Sequence, residues 1–151
     1  MEIIVNIAPI REKDLESLAG LYQQLFPNRP DYDKMKETLL HLDKDPNHII
    51  LGAREDGQLV GSLVGVVCGI LFGKCKPFMV VEDVVIDNNL RRAGIGKGLM
   101  TELERFAVSR ECSYIILLTD SDRPEAHRFY ESLGYQSDPY RGFKKSLASN
   151  C

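Results

Sequence analysis

The sequence has few cysteines, no long hydrophobic run and no excess of positive charge, and each shortage argues against a class of protein. Its four cysteines, at positions 68, 75, 112 and 151, form no C-x-x-C pair and no dense framework, which favours reduced thiols over disulfides. The longest apolar stretch, residues 59–72, is diluted by glycine and is too short to cross a bilayer. With 19 basic against 22 acidic residues the net charge is -3, so we do not expect an electrostatically driven nucleic-acid binder.

The first residues of the chain indicate no targeting segment, and its histidines indicate no metal site. The first residues, MEIIVNIAPIREKD, have an acidic residue at position 2 and no long apolar run, so we expect no signal peptide or membrane anchor and a cytoplasmic location. His41, His48 and His127 have no ligand spacing with one another or with the cysteines, so no metal site is expected. A length of 151 residues, 44% hydrophobic and 27% charged, predicts a single globular domain over residues 1–151.

Hydrophobic periodicity predicts alternating strands and helices along the whole chain. Apolar residues at helical spacing, for example Leu15, Leu18, Tyr22 and Leu25, mark the helices, and β-branched runs bounded by turn residues mark the strands. The predicted strands cover residues 3–8, 49–54, 59–71, 77–86 and 114–119, with one or two final strands within residues 135–147. The predicted helices cover residues 11–26 and 31–42, a segment that begins near Ile95, and residues 121–133.

The connections between these elements predict a mixed sheet. Asp56-Gly57 is a hairpin signal, so the second, third and fourth strands should be consecutive and antiparallel. Glycines 61, 65 and 69 in the third strand indicate bends, bulges or close approach of another backbone. A helix joins the fourth strand to the apolar run 114–119, so these two should be parallel, and the run should be covered on both faces. The predicted order is β-α-α-β-β-β-α-β-α-β-β, an α/β fold with a mixed, mostly antiparallel sheet between helices, with a cleft between the fourth strand and residues 114–119.

A glycine-rich turn follows the fourth strand within Val80 to Met100, VVEDVVIDNNLRRAGIGKGLM. Glycines allow close approach of a ligand, and the helix N-terminus that follows presents unpaired N–H groups beside several cations, so phosphate is the expected ligand. The turn is not a dinucleotide fingerprint, because Leu99 stands three residues after Gly96. It is not a Walker loop either, because Gly98 follows Lys97 where Ser or Thr is required.

Two motifs resemble those of the GNAT superfamily of acyl-CoA-dependent N-acetyltransferases. Arg91-Arg92-Ala93-Gly94-Ile95-Gly96 matches the Arg/Gln-x-x-Gly-x-Gly/Ala signature of that family. Downstream, residues 123–135, RPEAHRFYESLGY, are similar to its Asn-x-x-Ala-x-x-Phe-Tyr-Glu-x-x-Gly-Phe/Tyr segment, with Arg123 in the place of asparagine. The motifs stand in the family's order, and the predicted order of elements coincides with the family's architecture.

The resemblance implies acetyl-CoA as the donor of the acetyl group. Backbone N–H groups from Arg92 to Lys97 would hold the pyrophosphate, with charge from Arg91, Arg92 and Lys97, so the implied cofactor-binding set here is Arg91, Arg92, Ala93, Gly94, Ile95, Gly96 and Lys97. The pantetheine arm would run along the backbone of Val84, Val85 and Ile86. Arg123 and Ala126 would complete this set, although Arg123 lacks the amide that asparagine would offer the arm.

Acetyl transfer to an amine requires a base for the ammonium and an acid for the departing thiolate. By resemblance the base is Glu82 or Asp83, or water held by one of them; in a regular strand these neighbours point to opposite faces. Glu82 is favoured, because it is the polar member of an alternating set with Val80, Val84 and Ile86. Tyr130 is the candidate acid, on a helical face with Ala126, Phe129 and Leu133. A solvated strand carboxylate and a core tyrosine are the ordinary structural alternatives.

Several readings stay open beside an N-acetyltransferase that works by direct transfer in a ternary complex. A covalent route through Cys68 or Cys75 has no local base. A non-catalytic acyl-CoA-binding or regulatory module would keep the turn at residues 91–96 without needing Tyr130 or Glu82, and a nucleotide-binding fold would prefer ATP or NAD. The acceptor, a small molecule or peptide amine, would enter between residues 26–33 and 138–142, where Asp31, Asp33 and Asp138 favour a cation. The resemblance leaves a homodimer open.

Overall fold

The computed structural model describes residues 4–148 and shows a mixed sheet flanked by helices. Ile3 and Cys151, which belong to the predicted first strand and to the cysteine set, lie outside these residues. The strands are β1 (Asn6–Pro9), β2 (His48–Glu55), β3 (Gln58–Cys68), β4 (Phe78–Ile86) and β5 (Ile115–Ile116). The helices are α1 (Leu15–Gln23), α2 (Tyr32–Leu42), α3 (Ile95–Ser109) and α4 (Pro124–Ser132), with short 3-10 helices at Glu12–Asp14 and Asn88–Leu90.

The sheet follows the predicted topology in its first five strands. Its spatial order is β1-β2-β3-β4-β5, antiparallel up to β4 and parallel between β4 and β5. The hairpin between β2 and β3 closes at the Glu55–Gln58 pair, and Asp56 and Gly57 both have positive φ, 49° and 81°. The Asp56-Gly57 signal is therefore confirmed.

Glycines of β3 let α3 pack directly on one face of the sheet. A Cβ built on Gly65 would lie 2.6 Å from Cδ1 of Leu103, and one on Gly61 would lie 3.0 Å from Cγ2 of Ile95. Both contacting side chains belong to the apolar face of α3, where Leu103 is fully buried. At these two positions side chains approach the strand, and not another backbone as expected, whereas a Cβ on Gly69 would meet nothing within 4 Å.

The opposite face of the sheet is covered by α1 and α2. Their apolar stripes form one cluster with residues of the sheet and of the chain before α1, namely Ile10, Leu15, Leu18, Leu21, Leu39, Leu59 and Val85. Beneath the start of α1, the buried Asp14 carboxylate accepts hydrogen bonds from the Arg54 guanidinium of β2 and, at 2.8 Å, from the Arg11 N–H. This pair joins the N-terminus of α1 to β2.

Two predictions for the C-terminal part are wrong. The apolar run 114–119 forms only the two-residue β5, and Tyr114 (50%), Ile116 (46%) and Leu118 (60%) are too exposed for a strand covered on both faces. Within residues 135–148 no strand is formed, so the element order ends at α4. Residues 136–148 are exposed, so no buried face fixes a pairing register, and Pro139 has no N–H to contribute to a ladder.

The described chain consists of two compact units, residues 4–116 and residues 117–148. The first contains the five strands with α1, α2 and α3, and the second contains α4. Among the helices of residues 4–148, none combines the length and the apolar character needed to cross a membrane.

Candidate active site

A β-bulge in the middle of β4 organises the site. Glu82 pairs with Val64 of β3 and Val85 pairs with Ser62, so Asp83 and Val84 together stand opposite the single residue Leu63. Asp83 has a φ of 54°, a left-handed conformation that aspartate adopts more readily than most residues. An extra residue in one strand reverses which face the following side chains reach, so regular alternation does not hold along β4.

The reversal removes the reason for preferring Glu82. Residues that pair across a ladder share a face, so Val80 lies on the face of its partner Val66, which is also the face of Val64. Ile86 pairs with Gly61 and contacts the α3 side of the sheet instead. Val80 therefore shares a face with Glu82, but Ile86 lies on the opposite face, contrary to the expectation from spacing.

An apolar pocket of about 350 Å³ lies between α1, α2 and the sheet. Its lining includes the buried side chains of Ile10, Leu15, Leu18 and Leu39, together with Ile50 of β2. The bulge brings the side chain of Asp83 into this lining, and Glu82 is not part of it. The pocket thus combines an apolar interior with a carboxylate supplied by the sheet.

Asp83 and Tyr22 face the same pocket, and the charge of Asp83 acts on the Tyr22 hydroxyl. Asp83 keeps part of its surface exposed, yet loss of hydration around its carboxyl raises its pKa above the ordinary value. Burial, and then the negative charge of Asp83, raise the pKa of Tyr22, so its hydroxyl stays protonated at neutral pH. The sequence predicts Tyr22 as part of the apolar face of a helix. The hydroxyl of its side chain is the one feature of the sequence that could have indicated a polar role.

The free edge of β4 begins close to the bulge. Within residues 4–148, β4 pairs with β5 only at Met79–Ile115 and Val80–Ile116, although β4 itself continues to Ile86. The Asp87 N–H donates to the Val60 carbonyl of β3, and successive amides of a strand alternate in direction. The N–H of Ile86 therefore points away from β3, towards the side on which β5 has ended.

The turn after β4 ends in a helix N-terminus without a side-chain cap. Gly94, at a φ of 86°, is the N-cap residue of α3, and the first turn contains no acidic residue. The Gly98 N–H makes a helical bond to the Gly94 carbonyl, which leaves the preceding amides, from Ile95 to Lys97, without intrahelical acceptors. The side chains of Arg91, Arg92 and Lys97 are exposed around this turn, whereas Ala93 is buried beneath it. Donors and charge of this kind fit an anionic group such as a pyrophosphate.

In the second unit, α4 holds Tyr130 in an aromatic environment. Tyr130 is half-buried and packs edge-on against Phe129 and Tyr135, with ring centroids 5.0 and 6.0 Å apart. Burial raises its pKa, and the opposing charge of Arg123 does not cancel this effect. Arg123 is the N-cap residue of α4, and its carbonyl accepts the N–H of Ala126 at 3.1 Å. Because Ala126, Phe129 and Tyr130 stand at helical spacing within α4, they share one face as expected, whereas Leu133 is the C-cap residue and lies outside the helix.

The predicted site residues are divided between the two units. The carboxylate-bearing bulge, Val84 to Ile86 and the Arg91 turn succeed one another within the first unit, whereas Arg123, Ala126 and Tyr130 belong to the second. Asp31, one of the aspartates expected to attract a cation, instead accepts the Lys34 N–H at 3.0 Å and caps α2. Within residues 4–148, no group of three or more His, Cys, Asp and Glu side chains is arranged to hold a metal ion.

Comparison with known proteins gives relatives of matching length. The chain is 22% identical over 136 residues to the aminoglycoside N(6')-acetyltransferase type 1 of Salmonella enteritidis, covering 87% of this chain and 92% of that one. It is 26% identical over 135 residues to the aminoalkylphosphonate N-acetyltransferase of Salmonella typhimurium, covering 89% and 86%. A solved structure named as a transcriptional regulator from Bacillus halodurans superposes with a TM-score of 0.86 at 28% identity, covering 95% of this chain and 100% of that one.

The model of the acetyltransferase (GNAT) family matches residues 15–135, which include β4 with its bulge, the Arg91 turn and α4. The family match and the shared fold agree with the two motifs that the sequence carries, and the chain belongs to the GNAT family of acetyltransferases.

Proposed function

We propose that this protein transfers the acetyl group of acetyl-CoA directly to a primary amine, with a carboxylate of β4 as base. The observation that carries the proposal is the bulge, which presents Asp83 to an apolar pocket on the strand that leads into the Arg91 turn. Named activities of relatives, towards aminoglycosides and aminoalkylphosphonates, support an amine acceptor.

The residues of this chain fit acetyl-CoA at three places, which we infer hold it. The amides of Ile95 to Lys97 suit the pyrophosphate, and the exposed cations Arg91, Arg92 and Lys97 add charge. The N–H of Ile86, which points away from β3, suits an amide of the pantetheine arm, in line with the role expected for Val84 to Ile86. Arg123 and Ala126 stay in the proposed set on the strength of the α4 motif.

The proposed reaction forms one C–N bond and breaks one C–S bond. The amine nitrogen attacks the thioester carbonyl carbon after Asp83 has taken a proton from the ammonium, directly or through water. Collapse of the tetrahedral adduct expels the CoA thiolate, which receives the proton of the Tyr130 hydroxyl. The nitrogen gives its second proton to water as the amide forms, and Tyr130 regains a proton from solvent. A raised pKa suits a carboxylate to this task, because a base works best when its pKa approaches the working pH.

The test compares two neighbouring carboxylates under identical conditions. Asp83→Asn should lower kcat/KM for acetyl transfer by about 10²- to 10⁴-fold, the usual contribution of a general base, while Glu82→Gln retains most of the activity. Release of CoA from acetyl-CoA across a panel of amines gives the rates, and calorimetric titration with acetyl-CoA shows that both variants still bind the donor. A loss confined to Glu82→Gln would assign the base to Glu82, as spacing alone suggested.

A non-catalytic acyl-CoA-binding or regulatory module is the second candidate, because the Bacillus halodurans relative is named as a transcriptional regulator. This alternative predicts that acetyl-CoA binds but that no amine in the panel releases CoA. Turnover that depends on Asp83 contradicts it.

A further inference from the structure

The geometry points to a small primary monoamine with a compact apolar body as the acceptor, bound in the pocket between α1 and α2 with its ammonium at Asp83. This inference rests on the proposed function, in that the molecule in the pocket is taken to be acetylated. Two observations support it: the interior of the pocket is apolar, and most of the charged side chains in its lining already have partners.

The interior of the pocket suits hydrocarbon. Ile10, Leu15, Leu18 and Leu39 are each at most 5% exposed, and Met35 adds a flexible apolar side chain from α2. Burial of apolar ligand surface against such walls is favourable, whereas a sugar or an extended polyamine would lose hydrogen bonds to water there without replacement. At about 350 Å³ the pocket lies at the small end of the range for ligand sites.

Of the two aspartates in the lining, one has a free carboxylate that can bind a single positive charge. Asp31 is engaged as the cap of α2 through its 3.0 Å hydrogen bond from the Lys34 N–H. The Asp83 carboxyl accepts no hydrogen bond from the described residues, and its pKa is shifted by loss of hydration alone. A single ammonium at Asp83 restores the lost solvation, but a polyamine would bring further charges that find no free carboxylate in the lining.

The basic and neutral polar groups argue against an anionic acceptor. Lys34 is the one cation among the described lining residues, and its ammonium already pairs with Glu37 at 3.2 Å on the exposed side of α2. Phosphate recognition normally uses several donors or a bidentate guanidinium. Tyr22 remains neutral and offers a phenol beside Asp83, which suits a polar amino group at the end of an apolar molecule.

The first test is an acceptor comparison at saturating acetyl-CoA with 2-phenylethylamine, spermidine and glucosamine 6-phosphate. We expect kcat/KM for 2-phenylethylamine to exceed that for each of the other two by at least tenfold. If spermidine or glucosamine 6-phosphate is the better substrate, the inference is overturned while acetyl transfer stands. If 2-phenylethylamine binds selectively in calorimetry but no amine is acetylated, the pocket assignment stands and the proposed activity fails.

The second test fills the pocket. Met35→Trp should raise the KM, or the Kd, for 2-phenylethylamine at least tenfold and leave acetyl-CoA binding unchanged. Thr38→Trp fills the same pocket from an exposed position of α2 and serves if the half-buried Met35 site does not tolerate the change. Leu40→Trp is the matched control on the same helix, 51% exposed and outside the lining. Equal affinities in pocket-filling and control variants would place the amine elsewhere.

Discussion

Removing the buried carboxylate of Asp14 should destabilise the fold strongly, because Arg54 would lose its ionic partner inside the protein. The two side chains are only 7% and 11% exposed, and Asp14 accepts hydrogen bonds from both Arg54 and the Arg11 N–H. Arg54 also donates to the carbonyls of Ala8, Pro9 and Gly52. These hydrogen bonds would hold its guanidinium in place after the Asp14 carboxylate is removed. Breaking one half of a buried pair costs about 3–5 kcal/mol, and Asp14→Asn belongs near the lower end because the amide oxygen still accepts one hydrogen bond.

The size of this effect is measurable by thermal unfolding. For a chain of 151 residues each kcal/mol corresponds to about 2–4 °C in Tm, so Asp14→Asn should lower Tm by about 6–12 °C at pH 7. The control, Glu102→Gln, breaks an exposed pair of 3.0 Å with Arg105 and should cost under about 1 kcal/mol. An Asp14→Asn variant no less stable than this control would refute the reasoning.

The same pair predicts a pH dependence with a definite sign. Burial alone would raise the pKa of Asp14, but the hydrogen bonds from Arg54 and Arg11 outweigh it and hold the folded-state pKa below its ordinary value. The carboxylate therefore stabilises the fold fully above its ordinary pKa near 4, and this contribution is lost as the pH falls through the lowered value. The Tm difference between wild type and Asp14→Asn should stay constant from pH 7 to pH 5 and shrink at lower pH.

Three further changes test other parts of the molecule. Tyr130→Phe keeps the aromatic packing but removes the proposed proton donor, so kcat should fall about 100-fold or more while calorimetry shows unchanged acetyl-CoA binding; wild-type turnover would remove Tyr130 from the mechanism. Gly65→Ala places a Cβ 2.6 Å from Cδ1 of Leu103 and should cost about 1–3 kcal/mol in urea unfolding, whereas Gly69→Ala meets nothing within 4 Å and should be close to neutral. Loss of hydration raises the folded-state pKa of Asp83, so its ionised form destabilises the fold at pH 7, and this destabilisation disappears below about pH 4. Asp83→Asn should therefore be at least as stable as wild type at pH 7. A lower Tm of the variant would contradict the direction of this effect.

The parts of the fold that depend on local pattern could be predicted from the sequence. The spacing of Leu15, Leu18 and Tyr22 marks a helix face, and the structure buries the two leucines and half-buries the tyrosine. Asp56-Gly57 needs only its own backbone preferences to form a hairpin turn. In both cases the signal and the structure involve neighbours in the chain, so no distant partner has to be known.

The C-terminal strands could not be predicted in the same way, because a strand requires a partner as well as a suitable composition. Residues 114–119 have the apolar composition of a buried strand, but in the structure only Ile115 and Ile116 pair with β4. The prediction of strands within residues 135–147 rests on composition too, and the structure forms no strand there and leaves residues 136–147 exposed. Pairing depends on register and burial, which a single sequence does not display.

The choice between Glu82 and Asp83 shows the same limit at the scale of one residue. Period-two reasoning assumes an unbroken ladder, and one additional residue in β4 is enough to reverse the face of everything that follows. Met79 and Val81 pair with β3 on one side of the bulge, and Val85 packs into the cluster under α1 on the other side. The strand thus serves both cores of the sheet, and the bulged residue lies where it passes from one to the other. That position leaves Asp83 neither sealed in a core nor fully in water, so its carboxyl loses enough hydration to raise the pKa and still remains open to a ligand at the pocket.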